Sequence, residues 1–297
     1  MPALDDILRQ KTALLEAKQQ KRTVLPASRQ DGLVVQRGEK RLVSFSCNDY
    51  LGLTHHPKVI AVAQAAAAEY GAGAGASRLV TGNYRLYGQL ENTLAGYKRA
   101  EAACVFGSGY LASIGTIPAL VGKGDLIIAD KLIHACMLDA ARLSGATLLR
   151  FAHNNTEHCR LLLEANRGEH QHCLVLTETV FSMDGDCAPI NKLKILCQRF
   201  NSWLMSDDAH GMGVLPPSDN AADIQMGTFS KAVGSYGGYV CGSQILVDYL
   251  KTAWQQIIYS AAYGTGEPDG PTASEPGLAA RRGLTITTVP ASLSCQP

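Results

Sequence analysis

Lys231 keeps unusual company for a lysine. It follows the alternating residues Asp223, Ile224, Gln225 and Met226 and the turn Gly227-Thr228-Phe229-Ser230, and small residues and glycines follow it. A lone lysine is ordinarily a solvated surface residue, because burying its ammonium is costly. Two nearby hydroxyls, an apolar run before it and glycines after it suit an amine held at the end of a strand. Desolvation there lowers the pKa and lets the amine act as nucleophile and base.

Three upstream stretches complement it. Residues 206–211, SDDAHG, end another apolar run. Of the two acids there, Asp207 and Asp208, one aimed at a pyridine nitrogen keeps that ring protonated and makes it an electron sink. Ala209 permits close approach of a ring face, and His210 suits a phenolic oxygen. A capped turn is the plainer account of the same six residues. Residues 107–110, GSGY, join a strand to a helix, where backbone N–H groups and the helix dipole cradle a phosphate. A tight strand-to-helix turn explains that tetrapeptide equally well. His134 begins a helix after a strand ending at Asp130, placed either to stack on a planar cofactor or to sit half-buried. The stretch Thr228-Phe229-Ser230-Lys231 adds a hydroxyl for a phosphate and an amine for an imine. Taken in order, carboxylate, imidazole, phosphate turn and strand-end lysine meet the requirements of pyridoxal 5′-phosphate.

The positioning elements follow from periodicity. Strands are predicted over 103–106, 125–129, 147–151, 172–177, 203–206, 224–228 and 238–241. Helices are predicted over 57–70, 86–98, 110–120, 133–143, 156–166, 189–200 and 245–256. This alternation predicts an α/β fold, a mainly parallel seven-stranded sheet flanked by helices, with ligands beyond the carboxyl ends of the strands. Residues 1–45 read as an N-terminal arm, a helix over 3–20 and short strands over 32–36 and 41–45. Residues 46–260 read as the large domain. Residues 261–297, rich in Pro and Gly, read as an atypical, poorly packed tail with one strand-like run over 284–289.

Composition excludes several classes. A net charge of +1 without charge blocks points to no nucleic-acid partner. No apolar run is long enough to span a bilayer, and the N-terminus is polar, so neither a membrane span nor a signal peptide is expected. Nine scattered cysteines without a C-x-x-C pair read as reduced thiols of a cytoplasmic protein. Eight histidines lack ligand spacing, so no metal site is expected.

Six motifs, NDYLGL (48–53), GAGASRLVTGN (73–83), RFAHNN (150–155), TETVFSMDGD (177–186), DDAHGMG (207–213) and GTFSKAVGSYGGYV (227–240), resemble in order those of the α-oxoamine synthase family. The resemblance runs from the N-terminal helix to about residue 260. It implies the aminotransferase-like fold type I, bound pyridoxal phosphate, a homodimer, and condensation of an amino acid with an acyl thioester with loss of CO2. RFAHNN and FSMDGD favour the biotin-pathway member, which uses L-alanine and pimeloyl-CoA or a pimeloyl-carrier protein; members using glycine or serine, and an inactive remnant binding only cofactor or a partner, are the alternatives.

Residue by residue, the resemblance implies that Lys231 forms the imine and removes the α-proton, that Asp207 pairs with the pyridinium and His210 with the phenolic oxygen, and that His134 stacks on the ring. It implies that Ser182 lies near the phenolic oxygen or substrate. Ser108, Gly109, Tyr110 and Thr228 hold the phosphate, Asn48 lies near the substrate, and Arg22 touches the acyl group. The chain departs from the family in a shorter loop over 214–223, in Tyr87 where many members have His, and after residue 260. There a small C-terminal domain is expected to be missing or replaced.

Overall fold

The computed structural model describes residues 3–71 and 73–253. The expected tail over 261–297, its strand-like run and the end of the last helix lie outside them. The chain divides into two compact units, one ending at Cys47 and one beginning at Asn48.

The first unit holds helix α1 (Leu4–Ala17) and a three-stranded antiparallel sheet of β1 (Ser28–Asp31), β2 (Val34–Arg37) and β3 (Lys40–Val43), in that order. Two of the strands were expected. The third, β1, has the sequence SRQD, which carries no apolar alternation for periodicity to detect. Arg22 is exposed in this unit.

The second unit is built on a seven-stranded sheet: β4 (Ala102–Phe106), β5 (Leu126–Asp130), β6 (Thr147–Phe151), β7 (Cys173–Glu178), β8 (Trp203–Asp207), β9 (Ile224–Thr228) and β10 (Gly238–Gly242). Their spatial order is β4-β10-β9-β8-β7-β5-β6. Only β10 runs against its neighbours. The expected parallel α/β sheet is thus present.

Burial explains the strand sequences. Strand β5, LIIAD, is buried throughout, because helices cover both faces of the sheet. Its Ile127 and Ala129 join an apolar cluster with α4 (Gly109–Leu120), α5 (Ala135–Ser144) and α8 (Gln244–Ala253). Its Leu126 and Ile128 face α6 (Thr156–Asn166) and α7 (Ile190–Arg199). Helix α3 (Arg85–Lys98) covers the end of that same sheet, with Leu90 and Leu94 fully buried. Tyr87 is buried there beneath the Arg78 guanidinium, 4.5 Å from the ring centre. Helix α2 (Pro57–Tyr70) starts on a proline, whose missing N–H costs nothing in the first turn. Among the described residues no helix is long and apolar enough to cross a membrane.

Candidate active site

The carboxyl ends of β5, β7, β8 and β9 deliver Asp130, Glu178, Asp207 and Thr228 to one edge of the sheet. Antiparallel β10 starts at that edge, with Gly238 opposite both Phe106 and Thr228. The topology alone therefore gathers side chains that are far apart in sequence.

Asp207 is 5% exposed. Its Oδ1 accepts the Ala209 backbone N–H at 2.8 Å, the signature of a side chain folding back on its own turn. Burial, with a smaller contribution from the charge of Asp208, raises the Asp207 pKa; the Ala209 N–H and the positive charges of Lys231 and His134 offset only part of the rise. On the adjacent strand Glu178 is its register partner. Two buried carboxyls side by side do not both ionise readily. Burial, then the neighbouring Asp207, raise Glu178 to about 8, while an N–H from the His134 backbone opposes the rise. Glu178 therefore carries a proton at neutral pH, while the Ala209 N–H and the Lys231 and His134 charges favour the ionised form of Asp207 against its burial.

Lys231 Nζ lies 2.6 Å from His210 Nε2, and His210 Nδ1 lies 2.6 Å from the Tyr50 hydroxyl. Tyr50 in turn donates to Asn48 Oδ1 at 3.3 Å. A His210 tautomer with its proton on Nδ1 satisfies all three contacts: Lys231 donates to Nε2, Nδ1–H donates to Tyr50, and Tyr50 donates to Asn48. Desolvation, then the charges of Lys231 and His134, lower His210 to about 4, so the ring is neutral at physiological pH. Burial lowers the Lys231 pKa, with Asp207 and Glu178 offsetting part of the drop.

Ser108 caps α4: its Oγ accepts the Leu111 N–H at 3.1 Å and keeps its own O–H for another acceptor. The first-turn N–H groups of Gly109 and Tyr110 have no partner within a helix. Tyr110 sends its hydroxyl to Asp139, 3.4 Å away, so its contribution to an anion site comes from its backbone. Thr228 donates to the Gly237 carbonyl at 2.7 Å and accepts from Ser230, which is exposed at the rim. The approach of these turns is so close that a Cβ on Gly238 would lie 2.4 Å from the Ser108 backbone.

His134 is the N-cap of α5 and accepts the Cys136 N–H on Nδ1 at 3.2 Å. Its ring is exposed rather than half-buried. Ser182 stands exposed on the loop after β7, and the hydrogen bonds that join Asn48, Tyr50, His210 and Lys231 do not extend to it. That loop is tied down by His153, which bridges Asp130 at 2.9 Å and Asp186 at 2.8 Å. His153, Asp184 and Asp186 have metal-type ligand atoms within 4.8 Å of one another, but both His153 nitrogens are already spent on carboxylates.

Thus the structure joins Asn48, His210 and Lys231 in one chain of contacts and puts Asp207, Thr228 and the 108–110 turn at the same edge. Sequence reading missed Tyr50 and Glu178. Both lie inside motifs it quoted, NDYLGL and TETVFSMDGD, and the signal available was a hydroxyl and an acid adjoining residues already singled out.

The sequence model of the family described as "Aminotransferase class I and II" matches residues 40–265. The chain belongs to the class I and II aminotransferase family. Within that family it is 50% identical over 281 residues to an 8-amino-7-oxononanoate synthase of Methylobacterium nodulans, a match covering 95% of this chain and 72% of that protein. The 8-amino-7-oxononanoate synthase of Methylobacterium radiotolerans is 49% identical over 274 residues, covering 92% of this chain and 72% of its own. Among solved structures, a serine palmitoyltransferase from S. paucimobilis with bound PLP-myriocin aldimine superposes with a TM-score of 0.79 at 25% identity, over 97% of this chain and 72% of that one. An 8-amino-7-oxononanoate synthase from Francisella tularensis shares the fold, with a TM-score of 0.66 at 24% identity, over 84% of this chain and 68% of that one. The fold is therefore the type I fold of pyridoxal-phosphate enzymes, and the family resemblance read from the motifs holds.

Pyridoxal 5′-phosphate is the cofactor of this enzyme family, and the residues present fit it. Asp207 is buried, and the hydrogen bond its side chain accepts from the Ala209 N–H falls on Oδ1, so Oδ2 is the oxygen that could meet a ring N–H. A helix-opening turn closely packed at Gly109 and Gly238 presents first-turn N–H groups without helical partners for a phosphate, and an amine with a lowered pKa stands at the same edge.

Proposed function

We propose that the chain condenses L-alanine with a pimeloyl thioester, on CoA or a carrier protein, releasing CO2 and forming 8-amino-7-oxononanoate for biotin synthesis. One observation carries the reading. A partly desolvated lysine amine lies 2.6 Å from a neutral imidazole at the strand edge that also presents the buried carboxylate Asp207. The names and identities of the Methylobacterium relatives support the choice of substrates.

Bound at this edge, pyridoxal phosphate supplies a protonated ring that delocalises the electrons left when an amino acid loses its α-proton or its carboxylate. The residues do the rest. Asp207 would hold the ring N–H, favoured in its ionised form by the Ala209 N–H, while Glu178 keeps the second proton and spares the site a second negative charge. Ser108, Gly109, Tyr110 and the Thr228–Ser230 hydroxyls would hold the phosphate. His134 would cover the ring, and His210 would bond its phenolic oxygen. Lys231, with its pKa lowered by burial, would attach the cofactor and then take the α-proton. Asn48 and Tyr50 steady His210 and border the substrate; Ser182 and Arg22 would complete the cofactor and acyl contacts. A homodimer is part of the proposal.

The test is L-alanine-dependent release of CoA thiol from pimeloyl-CoA. Wild-type protein loaded with cofactor should release it and Lys231→Ala should not. A protein that binds cofactor yet shows no alanine-dependent release contradicts the acyltransferase reading.

A further inference from the structure

We infer that Lys98 is a positioning residue of the site: its buried ammonium holds Asp208, and through Asp208 it fixes the turn that carries Asp207 and His210 and balances the charge behind them. The inference rests on the cofactor reading of that turn.

Lys98 is the last residue of α3 and is 2% exposed, whereas the adjacent Arg99 is exposed. A lysine is rarely buried without a partner of opposite charge. The Lys98 ammonium pairs with Asp208 Oδ2, and Asp208 is itself 3% exposed. The other oxygen, Oδ1, accepts the Thr179 hydroxyl at 2.6 Å, and the Tyr239 hydroxyl donates to Oδ2 at 3.4 Å.

The Asp208 backbone is equally committed. Its N–H donates to the Met226 carbonyl at 2.6 Å, and its own carbonyl accepts from Gly211 at 3.1 Å and Met212 at 2.9 Å. The turn packs tightly at Gly211, where a Cβ would lie 2.3 Å from Asp208 Oδ1 and 2.4 Å from Thr179 Oγ1. Asp208 is thus a fixed pivot, one residue after Asp207 and two before His210.

The arrangement has an electrostatic consequence. Asp207 and Asp208 are consecutive buried acids, and the charge of Asp208 acts on Asp207. Of the titratable groups around Asp208, Tyr97, Tyr239 and Cys241 are held neutral by burial, while Lys231 and His134 act on Asp207 from the cofactor side of the turn. Lys98 supplies the opposing charge directly. Removing Lys98 alone leaves a net negative charge behind the cofactor-facing turn; removing the Asp208 charge alone leaves a positive one. These changes act in opposite directions, whereas damage to packing does not.

The experiment measures the pH midpoint of the visible absorbance band formed on adding pyridoxal phosphate. Charges roughly 10 Å apart at an effective dielectric of about 20 shift a titration by about one pH unit. Lys98→Met should raise the midpoint by about that amount, because negative potential favours the protonated form. Asp208→Asn, isosteric and still able to accept from Thr179, should lower it by about the same amount. Lys98→Met combined with Asp208→Asn should return it to the wild-type value. Single variants that shift the same way, or not at all, overturn the inference. Should Lys98→Met fail to fold, a lowered midpoint in Asp208→Asn supports the inference and an unchanged or raised one overturns it. A wild type that forms no visible band removes the proposed function and this inference with it; a wild-type band with unmoved variants removes this inference alone.

Discussion

Replacing Glu178 with Gln should stabilise the cofactor-free protein, and increasingly so as pH rises. Glu178 is 3% exposed, sits in register beside Asp207, and has its pKa raised from 4.5 to about 8 by burial and by that neighbour. The folded state therefore binds its proton more tightly than the unfolded state does. For a group raised in this way, the stability it contributes is complete below about pH 4.5 and is lost as pH climbs through about 8. With 1.36 kcal/mol per pH unit, the loss that glutamine avoids is at most about 1 kcal/mol at pH 5, about 3 at pH 7 and about 5 at pH 9. Glutamine is nearly isosteric and keeps an oxygen for the His134 N–H. Urea unfolding of both proteins at the three pH values reads the difference directly, at constant m-value. A gap that stays flat between pH 5 and pH 9 refutes the reasoning, since it would mean that Glu178 titrates alike in the folded and unfolded chain.

Other substitutions test neighbouring parts of the site. Tyr50→Phe removes the hydroxyl that His210 Nδ1 reaches at 2.6 Å; a neutral hydrogen bond is worth about 0.5–1.5 kcal/mol, so kcat/KM for L-alanine should fall about 2- to 10-fold. Gly238→Ala forces a methyl to 2.4 Å from the Ser108 backbone. Overpacking of this kind costs about 1–3 kcal/mol, and because Ser108 opens the phosphate turn, a fluorescence titration should show weaker binding of pyridoxal phosphate as well as a lower Tm.

Much of the sheet was legible because its strands are buried on both faces and read as short apolar runs, LIIAD and CLVLTE among them. A helix start was legible where a proline marked it, as at Pro57. The polar strand SRQD carried no such mark. The site residues that sit at strand ends, Asp207, Thr228 and then Lys231, could be placed from the alternation of elements alone. What could not be read was lateral order. Glu178 matters because β7 lies beside β8, Tyr50 meets His210 across 160 positions, and Lys98 meets Asp208 across 110. Each of these contacts depends on which elements lie side by side in the folded chain, and local periodicity carries no record of that. The exposure of His134 was likewise invisible, since a histidine opening a helix gives no sign of which way its ring faces solvent.

The central claim is that Lys231 presents its amine to a cofactor aldehyde held by Asp207. An absorbance scan on adding pyridoxal phosphate, followed by titration with L-alanine, glycine and L-serine, addresses it most directly. The account predicts a visible band in the wild type, none in Lys231→Ala, and a spectral change that saturates at lower concentration with L-alanine than with glycine or L-serine. A wild-type spectrum indistinguishable from that of Lys231→Ala would contradict it.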